Sequence, residues 1–240
     1  MLKDTILYLL QREEKLKNAP TKKEDSLPEK CYFLDEDTIL CYPRTTGDSR
    51  YPYVADGFTL WAYSSGYISL NESTFYYILP ASEGKEPYCA FFGGVKGEEG
   101  YTPVSITGVA RQAKEQVTRF TVYTPQAVYY IAKTEQTAFF VRAFVSPAKQ
   151  AIFTVGALDL SGKKTEIYLS TFLNCLLMHQ ACENVETKWF KQCKVTPRGF
   201  AFESVEDLDR TTHLVNFGVI NRRVDGEVLY AEHTASRSDY

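Results

Sequence analysis

"VTRFTVYTPQAVYYIAKTEQTAFFVRAFV" (Val117 to Val145) is three short runs of β-branched and aromatic residues separated by turn chemistry. In the first run, "VTRFTVYT" (Val117 to Thr124), Phe120 and Val122 fall on one side of an extended chain and Arg119, Thr121 and Tyr123 on the other. That period of two is what a pleated strand requires, so one face is expected to meet a core. "AVYYIA" (Ala127 to Ala132) follows after "PQ", a break short enough for a hairpin, and "AFFVRAFV" (Ala138 to Val145) follows after "KTEQT". Three consecutive antiparallel strands are expected.

The same pattern extends in both directions. Downstream, "QAIFTVGALDL" (Gln150 to Leu160), a turn at "SGKK" (Ser161 to Lys164) and "TEIYLSTFLNCLL" (Thr165 to Leu177) read as a further hairpin. "WFKQCKVTPRGFAFESV" (Trp189 to Val205) reads as strand, turn at "TPRG", strand, while "DLDRTTHLVNFGVINR" (Asp207 to Arg222) is compatible with strand or loop. The final "HTASRSDY" is polar and ends as if cut. Upstream, strand-like segments begin at Tyr32. Met1 to Lys17 instead spaces Leu2, Ile6, Leu9, Leu10 and Leu16 near a helical period, and "KNAPTKKEDSLPEK" (Lys17 to Lys30) is charged, proline-bearing and has little to bury. The expected organisation is a short amphipathic helix and linker over 1–30, then a β-sandwich domain over 31–240. Strands recurring about every 8 to 12 residues with Gly, Pro and Ser turns argue for an all-β, antiparallel sandwich over a parallel α/β sheet.

Composition agrees with this class. The 240 residues suffice for one large β domain, and 17 Tyr and 15 Phe against two Met lean toward strands. A formal charge of -3 offers no broad positive field for a phosphate backbone, which argues against nucleic acid as a partner. No run of about 18 apolar residues is present to span a membrane, and Met1 to Lys17 is too interrupted by charge for a signal peptide. The cytoplasm is the default compartment.

Six cysteines (Cys31, Cys41, Cys89, Cys175, Cys182, Cys193) are spread through a chain large enough to need no staples, and we read them as reduced, mostly buried thiols. His179, Cys182 and Cys193 could be pictured around zinc, but a structural site wants four ligands at tight paired spacing, so no metal site is expected. There is no G-x-S-x-G nucleophile elbow, and nothing marks a triad among His179, His213 and His233. "FFGGVKGEEG" (Phe91 to Gly100) matches neither the phosphate loop nor the dinucleotide fingerprint and reads as a flexible hairpin tip. The acidic clusters "FLDEDTI" (Phe33 to Ile39) and "EDLDR" (Glu206 to Arg210) could supply an acid and a base for glycoside chemistry, but nothing in the sequence pairs them. The sequon at Asn71 matters only in a secreted protein. No cofactor is expected.

The densest aromatic stretch is "DGFTLWAYSSGYISLNESTFYYILP" (Asp56 to Pro80). Sugars present flat apolar faces to rings and hydroxyls to polar side chains, so Trp61, Tyr63, Tyr67, Asn71 and Glu72 could together hold a saccharide. The competing reading is a strand pair that buries alternate rings in a core. Alternation puts Trp61 and Tyr63 on one side, and Asn71 to Ser73 is expected to cap the hairpin leading into "TFYYILP".

The order of these segments resembles a known family. The stretch from Asp56, the Gly-rich hairpin, "VTRFTVYTPQAVYYI", "AFFVRAFV" and "AIFTVGALDLSGKKTEIYLSTFLNCLL" is similar to the amino-terminal β-sandwich of the glycoside phosphorylases of glycoside hydrolase family 94. Within it, "YFLDEDTILCYPRTTGDSRYPY" (Tyr32 to Tyr53), "LLMH" (Leu176 to His179) and "ETKW" (Glu186 to Trp189) look most like the 1,2-β-oligoglucan phosphorylases. The resemblance covers Cys31 to Arg222. It implies a galactose-mutarotase-like super-sandwich from a cytosolic enzyme that cleaves a β-glucosidic bond with inorganic phosphate, inverting the anomeric centre to release α-glucose 1-phosphate. The family's catalytic Asp and phosphate site belong to a helical barrel that follows the sandwich and cannot be fitted here, so no catalytic residue is carried over. The sandwich would pack against the remainder of the phosphorylase chain, help form a homodimer and lend a loop to the oligosaccharide site. "SSGYISLNESTF" lacks the arginines of the cellobiose phosphorylases, consistent with another linkage such as β-1,2. The competing expectations are a free-standing carbohydrate-binding module and a mutarotase-like sugar epimerase, the latter needing a His and a carboxylate facing each other across a sheet.

Overall fold

The computed structural model describes residues 2–18, 27–43, 48–72, 76–80, 88–98, 100–109, 116–162, 166–173, 178–179, 190–196, 199–205 and 212–218. Most of the charged linker (19–26), Ser73, Cys175, Cys182, "ETKW" and the polar end lie outside the described residues.

Helix α1 (Leu2–Asn18) opens the chain, with Asp4 in its first turn and Lys15 and Lys17 in its last, each sign placed to suit the helix dipole. Its buried residues, Ile6, Leu9, Leu10 and Glu13, recur at helical spacing and form one face. Strands β1 (Cys31–Asp35) and β2 (Thr38–Cys41) follow, then β3 (Arg50–Ala55), β4 (Phe58–Tyr63), β5 (Ile68–Glu72) and β6 (Tyr76–Leu79). Next come β7 (Cys89–Gly97), β8 (Gly100–Ser105), β9 (Thr118–Tyr123), β10 (Val128–Lys133), β11 (Thr137–Ser146) and β12 (Gln150–Asp159). The chain continues through β13 (Ile167–Leu173), β14 (Met178–His179), β15 (Phe190–Thr196), β16 (Gly199–Val205) and β17 (Thr212–Gly218).

Among the described residues all pairings are antiparallel, and the fold is all-β apart from α1. A six-stranded sheet runs β1-β2-β9-β10-β11-β12, and the expected run of hairpins β9-β10-β11 lies at its centre. Facing it are a five-stranded sheet, β14-β6-β5-β4-β3, and a three-stranded sheet, β13-β7-β8; strands β15-β16-β17 form a further meander. β11 lies against β3, β4 and β7, and β12 against β13, so the layers stack as a sandwich.

The centre of the six-stranded sheet is buried on both faces. Val128, Tyr130 and Ala132 of β10 join the core between the layers, together with Leu60, Leu70, Phe91 and Phe139. Tyr129 and Ile131 point the other way, into a second core made with Ile6, Leu9 and Leu10 of α1. This corrects the expectation of one buried face for "VTRFTVYT": Phe120 and Val122 meet the helix, while Thr121 and Tyr123 are buried on the opposite side. A strand covered on both faces is apolar throughout and hides its alternation, as "VYYIA" does. Inside the helical interface, the carboxylate of Glu13 accepts from the Tyr42 hydroxyl at 2.9 Å and the Lys17 ammonium at 2.7 Å.

Two other expectations change. β12 and β13 are not a hairpin: β12 pairs with β11 in one layer, and β13 pairs with β7 in the other, so the segment after Asp159 crosses between layers. The Gly-rich stretch is mostly strand rather than tip. Gly93 and Gly94 sit inside β7, where a Cβ would lie 2.4 Å from the Phe139 ring and 2.1 Å from the Tyr168 ring, and only Gly97 and Gly100 close the turn.

Candidate functional site

The aromatic stretch is built on β3, β4 and β5. Asp56 and Gly57, with φ of 44° and 80°, make the two-residue loop between β3 and β4 and set Ala55 opposite Phe58. Two positive φ values in a two-residue loop match the twist of the flanking strands. The register then puts Arg50 opposite Tyr63 and Pro52 opposite Trp61, and β5 adds Ser69 beside Trp61 and Asn71 beside Thr59. Direct cross-strand partners share a face. Arg50, Thr59, Trp61, Tyr63, Ser69 and Asn71 therefore line the side of the sheet turned away from the core that Leu60, Ala62 and Leu70 fill.

On this face the Arg50 guanidinium carbon lies 5.0 Å from the Trp61 ring centroid, a cation–π contact that occupies one side of the indole. Trp61 is half-buried, Tyr63 is buried, and the Ser69 hydroxyl donates to the Asn71 side-chain oxygen at 2.9 Å. Tyr67 stands in the turn between β4 and β5. Its carbonyl accepts from the Tyr63 backbone N–H at 3.0 Å and from the Tyr130 hydroxyl at 3.4 Å. Gly66, with φ of 96°, makes that turn possible, since a Cβ there would meet the Thr107 carbonyl oxygen at 1.8 Å.

Glu72 does not join the others. It pairs with Phe58 and alternates with Asn71, so it faces the opposite side of the sheet, where it is exposed. Its charge acts there on Lys149, which binds Asp56 at 2.8 Å; this ion pair raises the Lys149 pKa and lowers that of Asp56. Thus Trp61, Tyr63 and Asn71 are brought together, Tyr67 borders them, and Glu72 lies elsewhere. Arg50 and Ser69 belong to the face but escaped sequence reading. The Asp-Gly pair at 56–57 was the signal that would have set the register of Arg50.

Behind this sheet lies a polar network. The Tyr53 hydroxyl donates to the Thr124 carbonyl at 3.0 Å, and the Tyr123 hydroxyl lies 3.0 Å from the Ser49 carbonyl oxygen and 3.2 Å from that of Ala62. Burial pushes the pKa of Tyr53, Tyr123 and Tyr130 upward, so each stays a neutral donor. The Asp48 carboxylate accepts from the Ser64 and Ser65 hydroxyls and, at 2.9 Å, from the Ser65 N–H. These bonds hold the turns that bound the Trp61 face.

Among the described residues no group of three His, Cys, Asp or Glu side chains could hold a metal ion, and no helix is long and apolar enough to cross a membrane. His179 and His213 lie on β14 and β17, in different sheets, and His233 lies outside the described residues. A shallow cleft of about 610 Å³ opens between Lys17 of α1 and Thr118, Lys133 and Glu135, on the helix side of the six-stranded sheet and away from Trp61. Tyr63, Ser69 and Asn71 are buried on this face, so the chemistry it offers a ligand is binding through the Trp61 ring, the Thr59 hydroxyl and the Arg50 guanidinium.

No protein-family model and no curated protein matches this chain.

Proposed function

We propose that this chain is the amino-terminal β-sandwich of an inverting glycoside phosphorylase similar to those of glycoside hydrolase family 94, of the 1,2-β-oligoglucan type. In this reading the domain is cytoplasmic and non-catalytic. It packs beside the remainder of the phosphorylase chain and contributes to a homodimer. The complete enzyme uses inorganic phosphate to cleave β-glucan oligosaccharides, β-1,2-linked, to α-glucose 1-phosphate. The supporting observation is the layered antiparallel sandwich, with the segments that resemble the family arranged in order through it and Trp61, Tyr63 and Asn71 sharing one side of the five-stranded sheet. The test is release of glucose 1-phosphate from 1,2-β-glucan oligosaccharides by this chain alone and by the chain extended with whatever is encoded after Tyr240. Activity only in an extended form that carries a helical barrel is the expected result. Phosphorolysis by the chain alone, or a stop codon directly after Tyr240, overturns the reading.

One observation favours a second reading, a free-standing carbohydrate-binding module: the half-buried Trp61 ring stands beside Ser69 and Asn71. Saturable glucan binding by a chain that the gene ends at Tyr240 would select it.

A further inference from the structure

We propose that Cys31 and Cys41 form a dithiol site, which a small-molecule disulfide oxidises to a cross-strand bond that locks β1 to β2. The two residues are direct partners in the β1-β2 ladder. The Tyr42 N–H donates to the Lys30 carbonyl at 3.0 Å, one residue outside the pair on each strand, which makes Cys31 and Cys41 a non-hydrogen-bonded pair. In such a pair the Cα atoms approach to about 4.5 Å and the side chains come closer than elsewhere in the ladder. That separation falls within the roughly 4.4–6.8 Å that a disulfide spans. Both side chains enter the core between the layers, and their sulfurs stand 2.7 Å apart. Cys89, by contrast, is on β7 opposite Leu173.

The two sulfurs differ in access. Cys31 is the first residue of β1, the outermost strand of the six-stranded sheet, and its sulfur lies 3.8 Å from the Ser49 hydroxyl. Cys41 is on β2, inside that edge, and is 1% exposed. Fraying of the edge strand therefore presents Cys31 first. Its thiolate attacks one sulfur of the external disulfide, whose S–S bond breaks and releases one thiolate. Cys41 then loses its proton and attacks the Cys31 sulfur of the mixed disulfide, releasing the second thiolate. Two protein thiols are oxidised, one external disulfide is reduced, and the two protons end on the released thiols.

The test is incubation of the folded chain with oxidised glutathione, followed by thiol counting in denaturant and peptide mapping. The expected product has four of its six thiols left, a mass lower by two hydrogens with no glutathione attached, and a linked peptide joining Cys31 to Cys41. Its thermal midpoint rises by roughly 5–10 °C and returns on reduction. Cys31→Ala and Cys41→Ala each abolish the two-hydrogen loss, and Cys89→Ser leaves it in place. Should Cys41→Ala fail to fold, Cys31→Ala at the strand edge carries the comparison. Six thiols remaining after oxidation, a link through any other cysteine, or the same loss in Cys31→Ala overturns the proposal.

Discussion

The hydroxyl of Tyr123, on the six-stranded sheet, crosses the core to the backbone carbonyl of Ala62 on the five-stranded sheet, 3.2 Å away, with the Ser49 carbonyl also within reach at 3.0 Å. A phenol here does what phenylalanine could not: it satisfies polar backbone of one layer from a side chain rooted in the other. Tyr123→Phe keeps the ring and strips the donor, so it is expected to cost about 1–2 kcal/mol. Urea unfolding should show a lower midpoint with an unchanged slope.

The same buried phenols predict a fall in stability at alkaline pH. Tyr53, Tyr123 and Tyr130 have folded pKa values raised by burial, so the folded chain keeps protons that the unfolded chain releases from about pH 10 upward. Their contribution is fully present below about pH 10 and is lost as pH rises from there toward the folded pKa, at about 1.4 kcal/mol per pH unit for each residue. Absorbance of tyrosinate should rise in two stages, exposed residues first and the buried set only together with unfolding. Tyr123→Phe should make the stability loss between pH 10 and 11 shallower.

Gly57 and Gly66 share a positive φ but not a neighbourhood. A Cβ at Gly57 meets nothing within 4 Å, whereas at Gly66 it would lie 1.8 Å from the Thr107 carbonyl oxygen, a backbone atom that cannot step aside. Gly57→Ala should therefore cost only the left-handed conformation, about 1–2 kcal/mol. Gly66→Ala should cost about 4 kcal/mol or more and disturb the turn that carries Tyr67. Thermal melts of the two variants side by side measure the difference.

If the Trp61 face of β4 binds glucan, Trp61→Ala should abolish binding while lowering stability by about 1–2 kcal/mol, because the ring is only half-buried. Glu72→Gln should leave binding unchanged, since Glu72 faces the other side of the sheet with Lys149. Calorimetric titration with 1,2-β-glucan oligosaccharides checks both. Equal loss in the two variants would show that the face has been drawn wrongly.

Residue order alone determined the strand-rich class, the amphipathic first helix, the β9-β10-β11 hairpins and the common side of Trp61 and Tyr63. These are local matters, set by a period of two or of 3.6 and by breaks such as "PQ". Only the tertiary structure decided which faces were covered. "VYYIA" reads the same whether one face or two are buried, and α1 makes it two. "SGKK" reads as a hairpin turn, yet β12 pairs back on β11, the strand just before it, and β13 pairs with β7, far away in sequence. The set of Trp61, Tyr63, Tyr67, Asn71 and Glu72 was likewise split by register, because neighbouring residues on a strand point to opposite sides. Conversely, Arg50 reached Trp61, and Cys31 reached Cys41, only through pairing across strands, a proximity that spacing along the chain does not encode.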